Sequence, residues 1–195
     1  LKNYNKKVGL FFGSFNPVHV GHMIIANYMV EHSDLEEVWI VVSPHNPLKE
    51  KKSLANDYDR LHLVQLAIGE NPNIKASSIE FNLPKPSYTI DTMAYLKEEY
   101  PDTPFVLLMG GDNLENLHKW KNYELLLRDY EIYVYKRPSY GPSKYKKHPK
   151  VRIYEAPQMN ISATFIRRSL REGKSVQYLV PDAVFKYLES SNMYR

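Results

Sequence analysis

The sequence predicts an α/β fold, a mainly parallel twisted sheet with helices on both faces. Three observations predict it. Short apolar runs alternate with segments of helical period along most of the chain. The first run, Val8-Gly9-Leu10-Phe11-Phe12, meets a glycine turn and passes directly into a helical pattern. No internal repeat interrupts this order, and 195 residues suffice for one domain with a sizeable core.

The elements follow in order. Residues 8–12 form the first strand, and Val20–His32 the first helix. Residues 38–42 form a buried second strand, with a proline-stiffened loop over 43–53. Residues 57–69 are helical, with Leu61, Val64, Leu66, Ala67 and Ile68 on the apolar side. Residues 74–81 read as a mixed strand. Residues 90–100 are helical, with Ser87 or Thr89 as the cap. Residues 105–109 form another apolar strand, and 113–127 one or two short helices. Glu131–Tyr135 and Val151–Tyr154 are strands. Residues 164–172 and 183–190 are helices, the last opened by Pro181-Asp182. One domain over 1–195 is expected, with a C-terminal helical portion at about 162–191. In such a sheet ligands bind beyond the C-terminal strand ends, where strand order reverses. The loops that follow strands should gather there.

Composition narrows the function classes. Apolar residues make up 43% and charged residues 25%, ordinary for a soluble globular protein. No cysteine is present, which excludes disulfide scaffolds, thiolate zinc sites and Cys nucleophiles. No apolar run nears the ~20 residues of a membrane span, and the first residues lack the apolar core of a signal peptide. A cytoplasmic protein is expected. The net charge of +4, from 26 basic and 22 acidic residues, points to anionic ligands at most. Much of it lies between Lys136 and Arg152, among Pro138, Gly141, Pro142 and Pro149. That segment reads as a flexible solvated loop; a nucleic-acid patch is the alternative, but no recognition motif accompanies it.

The stretch 8–26 carries most of the chemistry. A strand ends, a glycine loop opens, and His19 and His22 flank Gly21 as a helix begins. Free backbone N–H groups and the positive end of the helix dipole favour an anion there. Gly13 permits a sharp turn and close approach of a ligand. Pro17 stiffens the loop. Gly21 is expected to clear space between the histidines for an adenine or a phosphate. Positions three apart share a helix face, so both imidazoles reach one ligand group.

Five further segments join this motif. After the second strand, Lys49 is either a surface lysine on a proline turn or a mobile positive charge for a phosphate. Residues 86–92 offer either N–H groups for an anion or simple helix capping. Gly110-Gly111-Asp112 ends a buried strand, either as a tight turn or as a ligand edge whose carboxylate accepts ribose hydroxyls. Trp120 is either a core residue or a stacking platform. Ser162, Thr164 and Arg167 open either a simply capped amphipathic helix or one whose two hydroxyls and planar guanidinium fork suit phosphate.

The sequence resembles the nucleotidyltransferase superfamily that carries a His-x-Gly-His signature, here His19-Val20-Gly21-His22. The late Ser-x-Thr-x-x-Arg signature is Ser162, Thr164 and Arg167, preceded by Ile161. The resemblance is strongest to the bacterial nicotinate-mononucleotide adenylyltransferases, with 86–92, 110–120 and Arg137-Pro138 in matching order. It implies a Rossmann-like nucleotidyltransferase fold. It also implies transfer of the adenylyl group of ATP to nicotinate mononucleotide, giving deamido-NAD and pyrophosphate in NAD biosynthesis. His19, His22, Lys49 and Arg167 would then be catalytic. Gly13, Ser14, Phe15, Asn16, Gly110, Asp112, Ile161, Ser162 and Thr164 would bind ATP together with His19, His22 and Arg167. Ser14, Lys49, Tyr88, Thr89, Trp120, Lys121 and Arg137 would bind the nicotinate nucleotide. Mg²⁺ would be held mainly by the ATP phosphates, with no protein metal ligands. The expected partners are these two substrates, with no nucleic acid or membrane; a homo-oligomer is compatible but no residue marks an interface.

The sequence departs from the family pattern at a few points. Ser14 and Asn16 stand where many relatives have Thr and Asp, one proline precedes Leu48 where relatives often have two, and Lys121 replaces an aromatic. Related enzymes that act on phosphopantetheine or use CTP are usually shorter and lack the 86–92 and Trp120 features. Class I aminoacyl-tRNA synthetases share the signature but are longer. A non-catalytic nucleotide sensor would be marked by loss of a histidine or of Arg167, and all three are kept.

Overall fold

The computed structural model describes residues 6–44, 54–136 and 143–195. Six strands, β1 (Val8–Gly13), β2 (Glu37–Val42), β3 (Ile74–Ser77), β4 (Phe105–Gly110), β5 (Glu131–Tyr135) and β6 (Val151–Tyr154), form one sheet. Its order is β3-β2-β1-β4-β5-β6, and every pairing is parallel. The chain first builds outward from β1 to β3, then returns to β1's other side and builds toward β6. Strand order therefore reverses between β1 and β4, which places the ligand edge beside Gly13 and Gly110.

Among the described residues seven α-helices cover the sheet: α1 (Val20–His32), α2 (Asp57–Ile68), α3 (Thr89–Glu99), α4 (Gly111–Glu115), α5 (Tyr123–Asp129), α6 (Ala163–Arg171) and α7 (Asp182–Ser190). Alternate strand residues feed two cores, as the pleat requires. Ile40 and Val42 join Ile25 and Met29 of α1, Leu63 of α2, Ile166 of α6 and Leu188 of α7 on one face. Val41 joins Met93 of α3, Leu114 of α4 and Leu126 of α5 on the other. Both faces are thus buried, which explains why β1, β2 and β4 read as almost continuous apolar runs. Among the described residues no helix is long and apolar enough to cross a membrane.

Three expectations need correction. The mixed strand over 74–81 stops at Ser77, and Ile79–Asn82 forms a 3₁₀ turn instead. The turn aims the buried Glu80 carboxylate at two hydroxyls, Ser87 at 3.1 Å and Thr92 at 2.8 Å. A strand would have left it facing apolar neighbours at a large desolvation cost. For the same reason neither Ser87 nor Thr89 caps α3. Tyr88 occupies that position without a side-chain cap bond, and the Ser87 hydroxyl is committed to Glu80. The basic segment is also not wholly a solvated loop. Lys144–Lys147 is a 3₁₀ turn that buries Tyr145, and Arg152 lies in β6, paired with Asp34 at 3.1 Å.

At the N-terminal strand ends an ion network ties distant segments together. Lys7 bridges Asp34 at 2.8 Å and Glu131 at 3.3 Å, and the fully buried Tyr133 ring sends its hydroxyl to both carboxylates. Burial resists ionisation of Asp34, but hydrogen bonds from Lys7 and Tyr133 and the Arg152 charge outweigh it and hold its pKa at about 2. Burial beside the two carboxylates pushes the Tyr133 phenol far up.

Candidate active site

The loop after β1 is shaped by its own side chains. Phe15 adopts a left-handed φ of 44°, rare for a bulky residue, and folds its ring back under the loop. A Cβ on Gly13 would lie 2.8 Å from the tip of that ring. Gly13 is therefore required by Phe15, which in turn meets Phe11 edge to face with ring centroids 5.6 Å apart.

His19 is the N-cap of α1, and His22 is the third residue of its first turn. The two imidazoles stack at 3.6 Å with an interplanar angle of 22°. Phe15 closes on the His22 ring edge to face, at 5.0 Å. The His22 Nδ1 accepts the backbone N–H of His19 at 3.2 Å. That bond assigns the proton of a neutral His22 to Nε2, making that nitrogen a donor. His19 itself is buried. Gly21 plays a different part from the one expected. A Cβ there would lie 3.1 Å from His19 Nδ1 and 3.2 Å from its Cε1, so the cleared space holds the His19 ring.

The late signature joins this loop directly. Arg167 on α6 donates to the Asn16 carbonyl at 2.7 Å, across 151 residues, and to the Thr164 hydroxyl at 3.3 Å. Its Nε is buried with no hydrogen-bond partner among the described residues. Burial, together with the nearby Arg171 cation, pulls the Arg167 pKa down from the ordinary guanidinium value. An anion at this point would relieve both costs. Ser162 caps α6 by accepting the Phe165 N–H at 3.2 Å, which leaves its hydroxyl proton available as a donor. Asn160, Ser162, Thr164, Phe165 and Arg168 line a depression of about 450 Å³ at this helix start. Asn16 uses its side-chain oxygen internally, accepting from the Ala55 N–H at 3.1 Å and the Tyr194 hydroxyl at 2.7 Å.

Gly110 and Asp112 sit where β4 passes into α4, with Gly110 as the N-cap. The pairing of β4 with β1 places this turn beside the histidine loop. Tyr88 and Lys121 are also brought together. The Lys121 ammonium lies 4.6 Å from the Tyr88 ring centroid and 2.7 Å from Asp91. Trp120 is half-buried against the second core, and its backbone N–H is bonded to the Leu117 carbonyl at 2.9 Å. Lys49 and Arg137 lie outside the described residues, as does the rest of 45–53.

Sequence reading missed two residues. Glu80 fixes the chain entering α3 through Ser87 and Thr92. Arg60 on α2 is fully buried and bonds to backbone carbonyls of the loops after β1 and β2. Both are single charged residues inside otherwise ordinary patterns, and only their burial in the fold distinguishes them.

Together these features define a class: a Rossmann-like α/β protein with a donor-bearing loop opening a helix at the topological switch point. Residues 10–169 match the cytidylyltransferase-like family. The chain is 52% identical over 191 residues to a Flavobacterium johnsoniae protein named "Probable nicotinate-nucleotide adenylyltransferase", covering 97% of this chain and 99% of that one. A Bacteroides fragilis protein of the same name is 45% identical, covering 92% of this chain and 90% of its own. The fold matches that of Plasmodium falciparum nicotinic acid mononucleotide adenylyltransferase complexed with NaAD, with a TM-score of 0.81, 18% identity and 97% of each chain covered. On the sequence similarity, this chain belongs to the nicotinate-nucleotide adenylyltransferase family within the cytidylyltransferase-like proteins.

Proposed function

We propose that this chain transfers the adenylyl group of ATP to nicotinate mononucleotide, releasing deamido-NAD and pyrophosphate. The carrying observation is the bond from Arg167 to the Asn16 carbonyl, which unites the histidine loop with the Ser-x-Thr-x-x-Arg helix. A 5′-phosphate oxygen of nicotinate mononucleotide attacks the α-phosphorus of ATP. The bond to the bridging α–β oxygen breaks, and pyrophosphate leaves with its charge neutralised. No protein nucleophile takes part. Catalysis is in-line positioning and charge stabilisation on phosphate oxygens.

In this reading His22 Nε2 and His19 donate to the ATP phosphates, while Lys49 and Arg167 balance charge. Ser162 and Thr164 hold the β- and γ-phosphates near Arg167. Gly13, Ser14, Phe15, Asn16 and Ile161 shape the ATP site, and Gly110 and Asp112 flank the adenosine. Tyr88, Thr89, Trp120, Lys121 and Arg137 receive the nicotinate nucleotide. The whole chain acts as one nucleotidyltransferase domain.

Among the described residues no three His, Cys, Asp or Glu side chains converge as a metal site would. The donor-rich helix starts fit phosphate rather than a bare cation. Mg²⁺ would be held mainly through the ATP phosphates, where it would neutralise charge developing on the leaving group.

Purified protein with Mg²⁺, ATP and nicotinate mononucleotide is expected to release pyrophosphate and form deamido-NAD; the nicotinamide nucleotide is assayed alongside. Absence of turnover with either nucleotide refutes this function.

A further inference from the structure

Arg60 has no part in the reaction as just described, yet its environment is unusually demanding. The side chain is fully buried on α2. Its Nε donates to the Ala55 carbonyl at 3.0 Å, and Nη1 to the carbonyls of Ser14 at 2.5 Å and Ser43 at 2.9 Å. Nη2 reaches Asp57 at 2.7 Å and, more weakly, the Pro44 carbonyl at 3.5 Å. A buried guanidinium costs more to desolvate than an apolar side chain of the same volume. Only its planar five-donor fork can satisfy carbonyls from three segments at once.

The Ser14 carbonyl matters most. In a trans peptide the C=O and the following N–H point in opposite directions. Arg60 holds the Ser14 oxygen inward, so the Phe15 N–H faces away from the α2 core, on the loop that leads to His19 and His22. Phe15 also carries the left-handed φ of 44°, a conformation that persists only where its surroundings dictate it. Two residues further along the same loop Arg167 holds the Asn16 carbonyl at 2.7 Å. Two guanidinium groups thus hold carbonyls two residues apart in one loop.

We propose that Arg60 is a positioning residue: by holding the Ser14 carbonyl inward, it aims the Phe15 N–H at a phosphate of the bound nucleotide. The proposal rests on the adenylyltransferase reading for the nucleotide's identity, but its test needs only inorganic pyrophosphate.

Ser14-Phe15 is the only Ser-Phe pair in the sequence. Carbonyl-¹³C serine with ¹⁵N phenylalanine therefore gives one amide signal, that of Phe15. In the wild-type protein Mg²⁺-pyrophosphate is expected to move this signal, and adenosine to leave it in place. In Arg60→Lys, which keeps the charge but not the fork, pyrophosphate binding should weaken at least tenfold and adenosine binding less than twofold. A purely structural role would weaken both ligands alike. Equal weakening, or a wild-type signal that pyrophosphate does not move, overturns the proposal. Arg60→Gln serves as the second variant and is judged by the same comparison of pyrophosphate with adenosine. An immobile signal in an enzyme active on nicotinate mononucleotide removes this proposal alone. A moving signal in a protein inactive on that nucleotide removes only the substrate assignment.

Discussion

Replacing Gly21 with alanine separates stability from activity. Gly21 lies in the first turn of α1, and its φ is not among the positive values, so alanine fits the backbone. Alanine at a helical glycine stabilises by about 0.5–1 kcal/mol. Against this, the new Cβ would meet His19 Nδ1 at 3.1 Å and Cε1 at 3.2 Å. Carbon contacts settle near 3.5–4.0 Å, so the ring must yield by roughly 0.5 Å. It is stacked on His22 at 3.6 Å, so the movement either opens the stack or carries His22 with it. Overpacking of this kind costs about 1 kcal/mol, which leaves net stability close to that of the wild type. Misplacement of a catalytic group by up to 1 Å costs as much as about 100-fold in rate. Gly21→Ala is therefore expected to lose about 10–100-fold in kcat while Tm stays within about 4 °C of the wild type. Pyrophosphate release and thermal unfolding are measured on the same preparation. Wild-type kcat refutes the reasoning, as does a loss of activity accompanied by a fall in Tm of more than about 10 °C.

His22→Ala should cost about 100-fold or more in kcat with little change in ATP affinity, since phosphate charge shifts most at the transition state; steady-state kinetics with direct ATP titration test this, and equal kcat refutes it. Glu80→Ala removes the carboxylate to which the buried Ser87 hydroxyl donates and weakens the hold on Thr92. It should lower unfolding free energy by about 1–3 kcal/mol and raise KM for nicotinate mononucleotide several-fold with KM for ATP unchanged. A shift confined to ATP would contradict that assignment. Asp34 has a folded pKa of about 2, below its ordinary 3.8. Its contribution is thus fully present above about pH 5 and is lost as pH falls toward 2. The side chain is 46% exposed, so solvent screening reduces the effect to about 1 kcal/mol. Urea unfolding of Asp34→Asn should show correspondingly weaker dependence between pH 4 and 2, and an unchanged slope would refute the network's role.

Much of the architecture was legible before the fold. Helix α1 and strands β5 and β6 have the bounds that the sequence pattern predicts. The segment 74–81 misled because four residues of strand run into a turn whose shape depends on hydroxyls at 87 and 92. Local spacing carries no information about such a partner. Gly21 misled in a subtler way: its freedom from a Cβ was evident, but what fills the space depends on how the His19 ring packs.

The sequence by itself determined the α/β class and the two signatures, because periodicity, glycine turns and helix-start residues act over a few positions. The tertiary structure decided which of those parts meet. Arg167 reaches Asn16 only because the sheet brings β1 and the start of α6 together. Arg60 and Glu80 become anchors only because folding buries their charges beside acceptors and donors from other segments. Desolvation makes those partnerships obligatory, and desolvation is a property of the packed interior rather than of any short stretch of chain.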